Sequence, residues 1–170
     1  ITRWPGYAPT PLHRLGALAA RLGVADVAYK DEGGRFGLGS FKALGGAYAV
    51  MVLFKRLLEA HLGSEVRVAQ LLSPTARDFA RTVTVCCATD GNHGRSVAQG
   101  AGLVGARSVI FVHSGVSNER VAAIARFGAE MVRVAGDYDQ SVREAARVAA
   151  ERGWTVVSDT SWPGYERIPG

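Results

Sequence analysis

Two periodicities alternate along the chain. Leu12 to Leu22 (LHRLGALAARL) carries apolar residues at helical spacing and stops at Gly23, which predicts a helix. Val24 to Lys30 reads as a short strand. A glycine-rich loop comes next, and Ser40 is placed to cap a helix running from Phe41 to about His61. Residues 63–80 are weakly patterned and broken at Ser73-Pro74, so an irregular or partly helical connection is expected there. From Thr82 the order becomes regular. TVTVCCA is a β-rich apolar run that ends in the polar turn TDGNHG, and a helical stretch runs from about His93 to Leu103. SVIFVH (108–113) is the next strand, Asn118 to Phe127 a helix closed by Gly128, and MVRV a strand. Tyr138 to Glu151 is a helix closed by Gly153, and WTVV the last strand. Strand and helix alternating with short connections predict an α/β fold: a parallel twisted sheet with helices on both faces, in three αβα layers. Ligands in such sheets bind beyond the carboxyl ends of the strands, where TDGNHG lies.

Composition narrows the class without naming a function. The chain has 170 residues, 48% hydrophobic and 21% charged, enough for a proper core. It contains no apolar run of membrane-spanning length and no signal-peptide pattern, so neither membrane insertion nor secretion is expected. Cys86 and Cys87 are adjacent, and neighbours on a strand point to opposite faces, so no bridge between them is expected; a reduced, cytoplasmic setting suits them. The net charge is +5, but the basic residues (Arg21, Lys30, Lys55, Arg56, Arg107, Arg126, Arg143) are scattered and not interleaved with aromatics. A solvated surface with a modest pull on small anions is expected, not nucleic-acid binding. No metal site is expected. Ile1 in place of an initiator methionine, and Ile168-Pro169-Gly170 at the end, lead us to expect a piece of a longer protein.

The chemistry concentrates in two stretches. In GRFGLGSFKALGGAYAV, Lys42 opens an apolar, glycine-rich run. With Ser40 as N-cap, Lys42 would be the second residue of a helix, and Gly45, Gly46 and Ala49 would share its face, leaving room for a flat ligand. Phe41, Leu44, Tyr48 and Met51 would form a bulkier stripe for the core. The helix dipole and apolar surroundings would both favour the neutral amine that forms Schiff bases. The alternative is a lysine that snorkels from a small-residue helix. GRFGLG has the spacing GxxGxG, and GLGSFK lacks the end of a P-loop, so neither nucleotide motif is present. In ATDGNHGRSVA, Gly91 and Gly94 would free the backbone to approach a ligand, and the start of the helix suits a carboxylate or phosphate. Asn92 can donate a hydrogen bond. Asp90 stands where an anion would be welcome; it is either a helix cap or a functional acid, and His93 is either a satisfied polar residue or a catalyst.

Together these stretches resemble the fold type II family of pyridoxal-phosphate enzymes, which carry a lysine in an SFK-type motif and an asparagine in a small-G-N-H loop. KDEGGRFGLGSFKALGGAYAV, ATDGNHGRSVA and SDTSWPGYERIP look most like its ammonia-lyase branch, which acts on 2,3-diaminopropionate, and the likeness runs from Pro9 to Pro169. The resemblance implies pyridoxal 5'-phosphate as cofactor. Lys42 would hold it as a Schiff base and exchange the substrate α-proton, Asn92 would bond its phenolic oxygen, and Phe41 would lie beside its ring. Thr89, Asp90, Gly91 and His93 would surround the substrate. Asp90 replaces the small or hydroxyl residue of the dehydratases, as a second acid/base or as a site for the β-ammonium. The implied reaction is α,β-elimination to pyruvate and ammonia; a serine/threonine dehydratase and a non-catalytic α/β fragment with a carboxylate-binding loop are the alternatives. The implied division is an N-terminal segment of the cofactor domain (1–45), a smaller α/β domain (46–160) and a return toward the cofactor domain (161–170). The glycine-rich phosphate loop and the residue facing the pyridine nitrogen are expected in a C-terminal half. A homodimer binding a small amino-acid substrate completes the implied picture.

Overall fold

The structure, a computed structural model, describes residues 1–160; the expected return segment at 161–170 lies outside the described residues. The chain divides into two compact units, Ile1–Phe41 and one that begins at Lys42.

In the first unit, β1 (Leu12–Arg14) pairs antiparallel with β2 (Ala28–Lys30), and α1 (Gly16–Leu22) lies between them in sequence. The helix expected over Leu12–Leu22 therefore loses its first residues to a strand. Leu12 pairs with Lys30, and Leu15, with ψ 60, is the non-helical residue at which α1 starts. α1 stops at Gly23 as expected, with φ 65. The strand expected over 24–30 shortens to its last three residues. Arg35, although charged, is buried: its guanidinium grips both carboxylate oxygens of Glu32 (2.6 and 2.9 Å) and also donates to the Ala8 carbonyl (3.0 Å) and the Thr10 hydroxyl (2.9 Å). Such bidentate pairing offsets the desolvation of a buried charge.

The second unit holds a four-stranded parallel sheet in the order β5-β4-β3-β6. Its strands are β3 (Thr84–Ala88), β4 (Arg107–His113), β5 (Glu130–Val134) and β6 (Thr155–Val156). α4 (Asn92–Val104), α5 (Asn118–Ala125) and α6 (Tyr138–Arg152) make the crossovers. α6 carries the chain from one edge of the sheet to the other side of β3. Alternation along the strands fills both faces. Cys86, Ala88, Val109 and Phe111 pack with Ala145 and Ala149 of α6, whereas Val85, Cys87, Ile110 and Val112 are buried from the other side. The adjacent cysteines are thus free, buried and on opposite faces; burial pushes the Cys86 thiol up to about 12, and Cys87 well above its ordinary value.

Before the sheet come α2 (Gly46–Leu62) and α3 (Pro74–Ala80), the latter capped by the Ser73 hydroxyl, so Ser73-Pro74 begins a helix. The helix expected from Phe41 is instead a 3₁₀ turn over Phe41–Leu44 with α2 after it. This shift changes which residues face the core. Phe41, Leu44 and Tyr48 are exposed, and only Met51 of that expected stripe is buried; Gly46, Ala47, Val50, Phe54 and Leu58 are buried with it. The small residues of α2 serve close packing against α4. A Cβ on Gly46 would meet Ser96 at 2.7 Å, and one on Gly100 would meet the Ala47 backbone at 2.8 Å and Val50 at 3.0 Å. Gly46 therefore does not clear a surface for a flat ligand. Gly94 makes room for Thr89 and Ile110, so it too serves packing and does not free the backbone for a ligand.

Gly100→Ala should destabilise the protein by about 1–3 kcal/mol in urea denaturation, because the neighbour to be moved is backbone. Gly102→Ala, in the same helix but exposed with nothing closer than 3.7 Å, should be neutral or stabilising by up to about 1 kcal/mol. Equal effects at the two sites would contradict the close packing of α2 on α4.

Candidate functional site

The carboxyl ends of two adjacent strands, β3 and β6, supply most of one cleft, and β4 ends beside it. β3 runs into Thr89, Asp90 and Gly91, β4 ends at His113, and β6 leads to Val157 and Asp159. The sheet order turns at β3, since β4 lies to one side of it and β6 to the other. Lys42 enters from the 3₁₀ turn before α2. The cleft, of about 210 Å³, is lined by Lys42, Thr89, Asp90, Gly91, Asn92, His93, Tyr138 and Asp159.

Ser96 fixes the lysine's backbone. Its fully buried hydroxyl donates to the Lys42 carbonyl (2.7 Å) and accepts from the Ala47 N–H (2.7 Å), clamping the 3₁₀ turn and the start of α2 to α4. At the other end of the side chain, Lys42 Nζ donates to Asp159 Oδ2 at 2.7 Å. The amine thus sits in a polar, charged cleft, not the apolar setting expected, and not at an α-helix N-terminus. Burial alone would raise the Asp159 carboxyl, but the hydrogen bond from Lys42 and the Lys42 charge outweigh it and hold it below its usual value.

His93 is buried, and its Nε2–H donates to the Val157 carbonyl at 2.7 Å. A carbonyl only accepts, so this nitrogen carries the proton and Nδ1 does not. Nδ1 lies 3.8 Å from Asp159 Oδ2 and has no hydrogen-bond partner. Desolvation pushes the His93 pKa below its ordinary value, so the ring is neutral.

Asp90 does not cap α4. Gly91 occupies the N-cap position with no side-chain cap, and the Thr89 hydroxyl accepts from the Gly91 (3.0 Å) and Gly94 (3.1 Å) N–H groups. The N–H groups of Asn92 and His93 keep no acceptor among the described residues, as helix starts do when no side chain caps them. Asp90 is exposed, and His113 Nε2 lies 3.1 Å from its Oδ1. The Gly115 N–H donates to His113 Nδ1 (3.1 Å), which leaves the proton of the neutral ring on Nε2, facing the carboxylate. Tyr138 opens α6 behind the Asp137–Gln140 capping box; burial first, then Asp159 and Asp90, raises its hydroxyl pKa.

The structure therefore brings Lys42, Thr89, Asp90, Gly91, Asn92 and His93 to one cleft. Phe41 precedes Lys42 in the 3₁₀ turn, and its side chain is exposed. Four residues escaped the sequence reading: Asp159, Ser96, His113 and Tyr138. Asp159 lies within the SDTSWPGYERIP stretch, and His113 and Tyr138 stand at a strand end and a helix start, where ligand-facing residues collect. Ser96 gave no signal, because a serine inside a small-residue helix reads as packing.

Ser96→Ala strands the buried Ala47 N–H and should cost about 1–3 kcal/mol in urea denaturation. His93 gives the stability a pH dependence. Its folded pKa lies below the ordinary 6.5, so the unfolded chain takes up its proton first and stability falls as pH drops below about 6.5. A second fall belongs to Asp159 below its ordinary 3.8. His93→Gln should flatten the first step in denaturation curves between pH 7.5 and 5; an unchanged slope would contradict a buried neutral imidazole.

Comparison with known proteins gives the chain its relatives. The chain is 42% identical over 165 residues to the diaminopropionate ammonia-lyase of Salmonella typhimurium LT2, covering 97% of this chain and 41% of that protein. A probable D-serine dehydratase of Burkholderia pseudomallei is 32% identical over 114 residues, 66% of this chain and 26% of its own. The crystal structure of Escherichia coli diaminopropionate ammonia lyase in apo form superposes with a TM-score of 0.84 at 41% identity, over 99% of this chain and 45% of that one. The chain spans about two fifths of the length of the curated ammonia-lyases it matches. Residues 3–168 match the pyridoxal-phosphate dependent enzymes across nearly the whole sequence, and the chain belongs to that family.

Proposed function

We propose that this chain forms part of an ammonia-lyase that eliminates ammonia from 2,3-diaminopropionate, giving pyruvate and ammonia, with pyridoxal 5'-phosphate as cofactor. One observation carries the reading: a lysine amine and the Asp90 carboxylate line a single cleft at the carboxyl ends of the strands, beside a helix start with two open N–H groups. The relatives that match over nearly the whole chain bear the same name.

The donor set fits the cofactor's aldehyde end. Lys42 would carry it covalently, Asn92 would bond its phenolic oxygen, and Phe41 would lie beside its ring. The cofactor supplies an electron sink for charge developing at the substrate α-carbon. This chain's residues supply the rest. The N–H groups of Asn92 and His93 hold the substrate carboxylate; those of Thr89 and Gly91, expected to join them, are already donated to the Phe111 carbonyl and the Thr89 hydroxyl. Asp159 holds the Lys42 ammonium and accepts from it whenever the amine is free of other partners. Lys42 moves the α-proton on one side; Asp90, oriented by His113, either moves it on the other or binds the β-ammonium. Residues 1–45 would belong to the cofactor domain and 46–160 to the smaller domain. Buried, unbridged cysteines and the absence of a helix long and apolar enough to cross a membrane among the described residues support a cytoplasmic enzyme of amino-acid catabolism. The resemblance alone supports a homodimer.

The full-length protein should show the visible absorbance of lysine-bound pyridoxal phosphate, lost in Lys42→Ala. It should turn over 2,3-diaminopropionate; turnover of threonine or serine alone would favour a dehydratase, and no absorbance band would defeat the cofactor assignment. Asp90→Asn should slow one enantiomer by about 10²–10⁴-fold more than the other if Asp90 is the acid/base. Equal losses on both enantiomers would assign it to the β-ammonium.

A further inference from the structure

On the far side of the Asp90 loop lies a second cleft, of about 250 Å³. Arg95 of α4 and Arg120 and Ala123 of α5 line it with Asp90, Gly91 and Asn92. Arg95 stands one turn into α4, and Arg120 is the third residue of α5, whose start is capped by the Ser117 hydroxyl. The stem of Arg120 runs beside the loop, its Cδ 3.9 Å from where a side chain on Gly91 would begin.

Neither guanidinium has a hydrogen-bond or ion-pair partner among the described residues, and Arg95 Nε is buried with no acceptor. Three arginines elsewhere in this unit are matched. Arg107 pairs with Glu130, Arg147 with Glu144 and Glu151, and Arg133 donates to the Ser114 and Val116 carbonyls and to Asn118. The carboxylate at the rim, Asp90, lies against His113. Two like charges converge here, one with a buried donor, beside the positive end of α4. Guanidinium forks match the geometry of oxyanions, and an anion between them relieves their repulsion.

We propose that this cleft binds a compact oxyanion of the phosphate class, held by Arg95 and Arg120. It is separate from the lysine cleft. Lys42, His93, Tyr138 and Asp159 line only the first, and Arg95, Arg120 and Ala123 only the second; residues 90–92 are the wall between them. An oxyanion bound there braces the loop from behind. The site stands on the two arginines and does not depend on the cofactor reading.

Titration of the ¹⁵N-labelled protein with inorganic phosphate, at ionic strength held constant with chloride, tests the site directly. The Arg95 and Arg120 Nε–H resonances should shift saturably. Arg95→Gln and Arg120→Gln should each weaken binding by about tenfold, the worth of one charge-assisted hydrogen bond, while Lys42→Ala leaves it unchanged. A linear shift that chloride reproduces would reduce the effect to ionic atmosphere and overturn the proposal. So would saturable binding that Lys42→Ala abolishes and the arginine variants retain, since that places the anion in the other cleft. Should Arg95→Gln fail to fold by thermal melt, Arg120→Gln, on an exposed residue, carries the same comparison.

Discussion

The site depends on how closely α2 approaches α4. Ser96 can bond the Lys42 carbonyl and the Ala47 N–H at once only because Gly46 and Gly100 place no side chain between the two helices. That clamp holds a 3₁₀ turn that would otherwise be a frayed helix start, and the turn aims Lys42. The small residues around the lysine are thus a packing device whose result is chemical. They set the position of the amine from behind, through the backbone, and leave the cleft in front to charged groups.

Those groups come from the ends of neighbouring strands. Because β6 joins β3 on the side opposite β4, the chain beyond β6 and the chain beyond β4 flank the loop after β3. Asp159 meets Lys42 from one side, and His113 meets Asp90 from the other. The Lys42 amine donates to Asp159, so at rest the lysine is held by that carboxylate. Neutral His93, with Nδ1 facing that carboxylate and Nε2–H committed to Val157, is a boundary of the pair: it contributes shape and a directed lone pair and adds no competing charge.

Much of the α/β core was legible in the sequence, because TVTVCCA, SVIFVH and MVRV are runs of strand length and Gly105, Gly128 and Gly153 close the helices after them. The αL caps at Gly23, Gly63, Gly105 and Gly153 show the same agreement of local preference and fold. What escaped was decided by tertiary contact. Leu12–Arg14 has helical spacing, yet pairs with β2. Phe41, Leu44 and Tyr48 have the period of a buried stripe, but the 3₁₀ turn puts the phase of α2 on Gly46, Ala47 and Val50 instead. Lys42 and Asn92 could be read from motif context. The partner of Lys42 could not, because Asp159 is 117 residues away and only the strand order brings the two together.

The same reasoning bears on Asp90. A capping aspartate would have spent its oxygens on the first N–H groups of α4, but Thr89 takes that task for Gly91 and Gly94. The carboxylate is therefore directed by something outside its own loop, and the Gly115 N–H does the directing by fixing which nitrogen of His113 bears the proton. His113 Nε2 stands against one oxygen of that carboxylate, and the group is exposed. Proton transfer and recognition of an ammonium both require that arrangement, whereas a cap requires none of it. Asp90 is thus not the cap of its own helix, and the residue that faces it lies on a different strand.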